Sequence, residues 1–285
     1  MGVEKAQPAS RKISVPVNVE NAVRYRIIPP ERAAECPQEV ILTIPEGKEF
    51  LTKPELFLLD LLSNYEWDRP ICFLSMGGDL NVGVKEYFEF TGYSFKFVPF
   101  KSKTTAAVAG YVDPLALYNK MTLTYKWDAV AAGDYFIDYQ NMYTNLGVMS
   151  LPQLFANCAS TFIAHGRPDW ALQMLDKCQE VTKDYPLETI PLGFSSNDYM
   201  IVKMISMYFE LGKPEKAHEL AEKFSEELLT TAFFYRQFYS GEGDGSEDNL
   251  RLAGSYIYYL VDELKKGKDT KLADKVLEAF QNIIK

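Results

Sequence analysis

The sequence predicts an α/β module followed by an all-α region: a small parallel-type sheet with helices, then tetratricopeptide-like helical hairpins. Three observations carry this. Short apolar runs alternate with helix signals from Ile13 to about Tyr125. From Leu151 onward only helix-period patterns occur, and two segments there share one Gly-to-Ala frame.

Residues 1–12, "MGVEKAQPASRK", are polar and aperiodic and read as a flexible linker. Position 6 is Ala, where a myristoylation signal after Met1-Gly2 needs Ser or Thr. The α/β module spans 13–125, with strands at "VILTI" from Val40, "ICFLS" from Ile71 and "FKFVPF" from Phe95. Between the first two, Thr52 and Glu55 stand at capping-box spacing and Pro54 suits a first helical turn. Leu56, Phe57, Leu58, Leu59, Leu61 and Leu62 make that helix apolar almost all round, which predicts burial between layers. "VGVKEYFEFTG" reads as a second helix ending at Gly92. Strand, helix, strand, helix, strand implies right-handed crossovers and parallel pairing. A third helix follows Asp113-Pro114, with Asp as cap and Pro in the first turn.

A connector at 126–150, rich in Tyr and Asn in "DYFIDYQNMYTN", leads to the helical domain at 151–285. Such residues suit sugar or peptide surfaces, but Tyr-rich connectors also serve interdomain packing, which is the reading favoured for this one. In the helical domain Gly166 superposes on Gly212, Pro168 on Pro214, Ala171 on Ala217 and Phe162 on Tyr208. Small residues belong where two helices cross closely; Ala159, Ala171 and Cys178 fill those places in the first hairpin, while Ile205 and Phe224 depart in the second. The two glycines lie 46 residues apart, against about 34 in regular tetratricopeptide arrays, so an insertion sits around "YPLETIPLGFSS". A third pair follows the loop "SGEGDGSEDN", with Leu250, Ala253, Ile257, Leu260 and Leu264 tracing one face.

Function classes narrow by chemistry. The formal charge is −9 with pI near 5.0, which repels phosphate backbones, so nucleic acid is not an expected partner. No apolar run reaches the roughly 18 to 20 residues of a membrane span, and no signal-peptide pattern opens the chain. Cys36, Cys72, Cys158 and Cys178 show no CxxC spacing, and with only His165 and His218 no metal site or His-based triad is expected. Glu55, Asp60, Glu66 and Asp68 lie along one helix and its exit and read as a solvated edge. No catalytic residue and no cofactor follow from these patterns.

Two candidate sites remain. The turn after "ICFLS", with Gly77, Gly78, Asp79 and Asn81, lies where open parallel sheets hold ligands. Gly78 and Gly83 have phosphate-loop separation, but Val84 and Glu86 break the rest of that motif, and glycine also serves any tight chain reversal. The second site is the concave side of the hairpins. There the first helix of each pair presents Gln153, Asn157, Ser160, Tyr199, Lys203 and Ser206 as a partner-binding groove.

The stretches "LTKPELFLLDLLSNYEWDRPICFL", "EYFEFTGYSFKFVPFK", "HGRPDWALQMLDKCQEV" and "YFELGKPEKAHELAEK" carry a family likeness. Over roughly residues 13–235 the chain resembles the soluble C-terminal region of the protein O-mannosyltransferase-like, transmembrane-protein-260-like multipass proteins of Bacteroidetes. The likeness rests on Arg69-Pro70-Ile71, Tyr87-Phe88 with Gly92, Val98-Pro99 and the two Gly-to-Ala turns. It implies a noncatalytic region at the extracytoplasmic, periplasmic face of a glycosyltransferase-like membrane protein, with no catalytic residue carried over. Its partners would be the membrane domain of the same parent chain and an acceptor polypeptide. Two other readings stay open: a free-standing α/β enzyme or sugar or phosphate binder using the Gly77–Asn81 turn, and a self-associating helical scaffold.

Overall fold

The computed structural model describes residues 10–74, 80–102, 111–133, 138, 147–190, 195–238 and 246–285. The chain divides into two compact units, residues 1–124 and 125–285.

The described residues of the first unit hold two small sheets, and both pair antiparallel. β1 (Lys12–Pro16) runs against β2 (Glu39–Thr43), with Val15 opposite Val40. Val15, Val40 and Leu42 are buried while Ser14, Pro16, Glu39 and Thr43 are exposed, the alternation expected of a one-sided sheet. β3 (Cys72–Phe73), β4 (Phe88–Phe90) and β5 (Phe95–Phe97) form a second sheet in the order β3-β5-β4. This corrects the expected parallel sheet. β2 and β3 belong to different sheets, so the helix between them is no crossover, and β4 joins β5 through a tight turn. In that turn Thr91 N donates to Ser94 O at 2.8 Å and Gly92 sits at φ +96°. Gly92 therefore reverses a hairpin rather than ending a helix. Of "VGVKEYFEFTG", only Val84–Tyr87 is helical, as one 3-10 turn. Among the described residues the one parallel bridge joins Glu89 to Tyr111 beside β4.

α1 (Val19–Arg24) follows β1, capped by Asn18. α2 (Lys53–Ser63) forms where the capping box predicts it, and Glu55 Oε2 accepts from Thr52 N at 2.8 Å. Its burial differs from expectation. Leu58 and Leu62 face the core, whereas Leu56, Phe57 and Leu61 are exposed, Phe57 by 71%. An almost all-apolar helix cannot report how many layers cover it. α3 (Pro114–Asn119) starts at Asp113, whose Oδ1 accepts from Ala116 N at 2.9 Å.

Trp67 anchors this unit's core. It is fully buried, its Nε1 donates to Pro16 O at 2.7 Å, and its ring lies 5.4 Å from Phe97 and 4.8 Å from Tyr65. Tyr87 Oη donates to Ile41 O at 3.0 Å, tying the 3-10 turn before the second sheet to the first sheet. Gly83, at φ +78°, passes so close to β2 that an added Cβ would lie 2.6 Å from Thr43 N and 2.8 Å from Thr43 O. Gly83→Ala is expected to cost about 2 kcal/mol or more from the left-handed backbone and this clash, read as a lower urea midpoint. An unchanged midpoint would show that the turn shifts freely.

The second unit opens with a short helix, α4 (Asp128–Ala131), preceded by Trp127, whose ring packs 5.0 Å from the buried Phe155. Among the described residues six longer helices follow as neighbours in pairs: α5 (Leu151–Ala164) with α6 (Pro168–Thr182), α7 (Ser195–Glu210) with α8 (Pro214–Phe238), and α9 (Ser246–Lys266) with α10 (Thr270–Ile284). The Gly-to-Ala frame recurs three times, not two. Arg167 N donates to Phe162 O, Lys213 N to Tyr208 O and Asp269 N to Leu264 O, each at 2.8 Å. Gly166, Gly212 and Lys268 hold the same left-handed position at φ +68°, +67° and +67°. Ala171, Ala217 and Ala273, five residues on, are all fully buried.

The third copy escapes a search for glycine and proline because Lys268 and Thr270 occupy their places. A lysine in this conformation carries local strain. Lys268→Gly is expected to raise stability by about 0.5–1 kcal/mol after the extra freedom it gives the unfolded chain. A lower melting temperature would contradict that.

Candidate functional site

The groove residues come from helices whose opposite faces are buried. On α5, Leu154, Phe155, Cys158 and Phe162 enter the core, which leaves Gln153 exposed and Asn157 and Ser160 half-buried. On α7, Ile201, Val202, Met204 and Ile205 are buried, which leaves Tyr199 exposed and Lys203 and Ser206 half-buried. α5 neighbours α7, and α7 neighbours α9, so the three first helices lie side by side.

Counting back from the shared turn puts Gln153, Tyr199 and Ser255 in one row, Asn157, Lys203 and Tyr259 in a second, and Ser160, Ser206 and Asp262 in a third. Of these, Ser255, Tyr259 and Asp262 are the residues that sequence reading missed, for want of the third turn. The structure brings Tyr199 and Tyr259 into a parallel stack, centroids 5.6 Å apart at 11°. Lys203 Nζ lies 5.1 Å from the Tyr199 ring centroid, within cation–π range. Burial first, then Tyr199 and Glu263, push the Tyr259 phenol up, so it stays protonated and able to donate. Chemically this surface offers one aromatic platform, the Lys203 cation, the Asp262 carboxylate, which is paired with Lys266 at 2.7 Å, and several neutral hydrogen-bonding groups.

The insertion after α6 is held by carboxylates. Glu227 Oε2 accepts from Leu187 N at 2.6 Å and Glu188 N at 2.9 Å. Asp198 Oδ1 accepts from Thr189 N at 3.0 Å, and its Oδ2 from Thr189 Oγ1 at 2.9 Å. Glu188 takes Ile190 N at 2.6 Å and Thr231 Oγ1 at 2.9 Å. Asp198 is fully buried, and burial, helped by the Glu188 charge and opposed by the Thr189 donors, raises its carboxyl to about 7.

The other candidate, the turn after β3, is described only in part. Gly77, Gly78 and Asp79 lie outside the described residues. Asn81 is exposed, but its backbone N donates to Glu55 Oε1 at 2.8 Å. Glu55 itself is a correction: far from lying on a solvated edge, it is fully buried and ion-paired to Lys48 at 2.9 Å. His165 Nδ1 is engaged with Thr161 O at 2.8 Å, and His218 Nδ1 with Asp269 Oδ2 at 2.6 Å. Among the described residues no group of three His, Cys, Asp or Glu side chains could hold a metal ion. Most of the Tyr-rich connector lies outside the described residues.

Residues 4–116 match the family model for TMEM260-associated domain 2. The matched stretch, less than half of the chain, takes in both sheets and the start of α3. The helical unit lies beyond the match. No curated protein and no solved structure matches the chain. No described helix is long and apolar enough to cross a membrane.

Proposed function

We propose that this chain is a noncatalytic accessory region of a TMEM260-like membrane protein, whose helical unit binds a polypeptide along its first helices. The observation that carries the reading is the TMEM260-associated domain over residues 4–116, joined in one chain to three hairpins that share a turn. Those hairpins are read as tetratricopeptide-like, and their rows from Gln153 to Asp262 as a groove for an extended segment. The partner is the membrane domain of the parent protein or an acceptor polypeptide at its extracytoplasmic, periplasmic side, in keeping with the glycosyltransferase-like resemblance.

Crosslinking the purified chain to the membrane portion and to secreted acceptor proteins tests this. Capture should fall at least about tenfold in Tyr199→Ala or Tyr259→Ala, which remove the aromatic platform. Capture of neither, or capture indifferent to both substitutions, sinks the reading. A stable dimer in light scattering that blocks the groove would instead favour the self-associating scaffold.

A further inference from the structure

Four consecutive residues between α6 and α7, Leu187 to Ile190, are all buried. Buried backbone N–H groups need partners, and here each one finds a carboxylate: Glu227 takes Leu187 N and Glu188 N, Asp198 takes Thr189 N, and Glu188 takes Ile190 N. Asp198 stands in the first turn of α7, and Glu227 on α8 together with Thr231, which donates to Glu188. This short stretch is thereby tied to both helices.

Three acidic side chains crowd onto four successive amides without a counter-charge. Among the described residues none of the three makes an ion pair. The elements packed on α7 supply no cation either: α5 carries no charged side chain, α6 meets α7 through Asp176 and Tyr208, and Lys223 of α8 is given to Lys183 O. On α9, Tyr259 stacks on Tyr199, while Arg251 is paired with Glu247, and Lys266 with Asp262 and Glu263. Lys203 of α7 itself lies over the Tyr199 ring.

Backbone donors favour ionised carboxylates, whereas burial and like charges favour protonated ones. Burial wins here. It raises the fully buried Asp198 to about 7, and it raises Glu188 too, helped by the Glu227 charge and opposed by the Thr231 and Ile190 donors. Protonated, Asp198 keeps both its contacts, since one oxygen accepts from Thr189 N and the hydroxyl donates to Thr189 Oγ1. Ionised, it is a buried charge without a partner cation, and release of Thr189 returns it to water.

We propose that residues 187–190 form a proton-operated clasp on α7 and α8, held shut when Asp198 is protonated and opening more readily, without unfolding of the helices, when it ionises. Tyr199 is next in the chain, so the clasp governs how firmly the start of α7 presents the aromatic platform. It does so whatever binds there. A raised carboxyl contributes stability that is complete below its free value near about 4 and is lost as pH climbs through the folded value, so the clasp tightens in acid.

Amide hydrogen exchange of the full chain between pH 5 and pH 7, corrected for the intrinsic base-catalysed rate, tests this. Opening constants at Thr189 and Ile190 should rise at least about tenfold over that range. They should also exceed those of Met204 and Leu228, buried in α7 and α8, at every pH. Asp198→Asn should remove most of the pH dependence, and in the wild type the Asp198 carboxyl carbon should titrate near pH 7. Four results would each overturn the proposal: no measurable protection at 187–190, equal constants in the insertion and the helices, undiminished pH dependence in Asp198→Asn, or titration of that carbon near the free value.

Discussion

Glu55→Ala is expected to destabilise the first unit by about 3 kcal/mol, because the variant strands a half-buried cation and two backbone donors together. Glu55 Oε2 takes Thr52 N at 2.8 Å, and its Oε1 takes Asn81 N at 2.8 Å and Lys48 Nζ at 2.9 Å. One side chain thereby fastens the start of α2, the end of the turn after β3 and the segment after β2. Burial acts to raise its carboxyl, but the Thr52 and Asn81 amides and Lys48 outweigh it and hold the group below the usual carboxylate range. The sign follows directly. A depressed folded value gives stability that is present above the unfolded value and lost as pH falls through the folded one. Urea unfolding should therefore separate wild type from variant at neutral pH, with the gap closing below about pH 4. A gap under 1 kcal/mol at neutral pH, or one that widens in acid, would refute the hub role.

Asp198→Asn should do the reverse and stabilise the helical unit in mild alkali. The native carboxyl, raised to about 7, keeps its proton while the unfolded chain has already lost it above about pH 4. The stability this contributes is fully present below the unfolded value. It declines as pH rises, and is gone above about pH 7, where a buried charge remains. A shift of about three units corresponds to at most about 4 kcal/mol. Asparagine can still accept from Thr189 N while donating to Thr189 Oγ1, so the variant loses the charge and keeps the geometry. Its melting temperature should exceed the wild-type value at pH 8 and approach it at pH 5, with a flatter profile between. Equal differences at both pH values would show that Asp198 is not buried in solution.

These two carboxylates also mark the limits of reading from sequence. Both look like ordinary acidic residues near helix starts, and Glu55 has the added signature of a capping box, which the structure realises. Its reach to Asn81 and Lys48 depends on where a distant turn and loop pass. Likewise the hairpin turns at Gly166 and Gly212 were legible because glycine and proline are local signals for a left-handed residue and a helix start. The third turn, built on Lys268 and Thr270, was not. Tertiary contacts force that geometry on a residue that does not announce it, and Tyr259 was missed with it.

By itself the sequence determined the order of α2, α3 and the six long helices, the cap residues Thr52 and Asp113, and the alanines that let paired helices approach. Those are local consequences of backbone preference and of a 3.6-residue apolar period. Only the tertiary structure decided that the strands pair antiparallel in two sheets, that one side of α2 stays uncovered, and that Tyr199 and Tyr259 stack across neighbouring hairpins. Pairing direction, coverage and register depend on residues far apart in the chain meeting in space, and no local pattern encodes such a meeting.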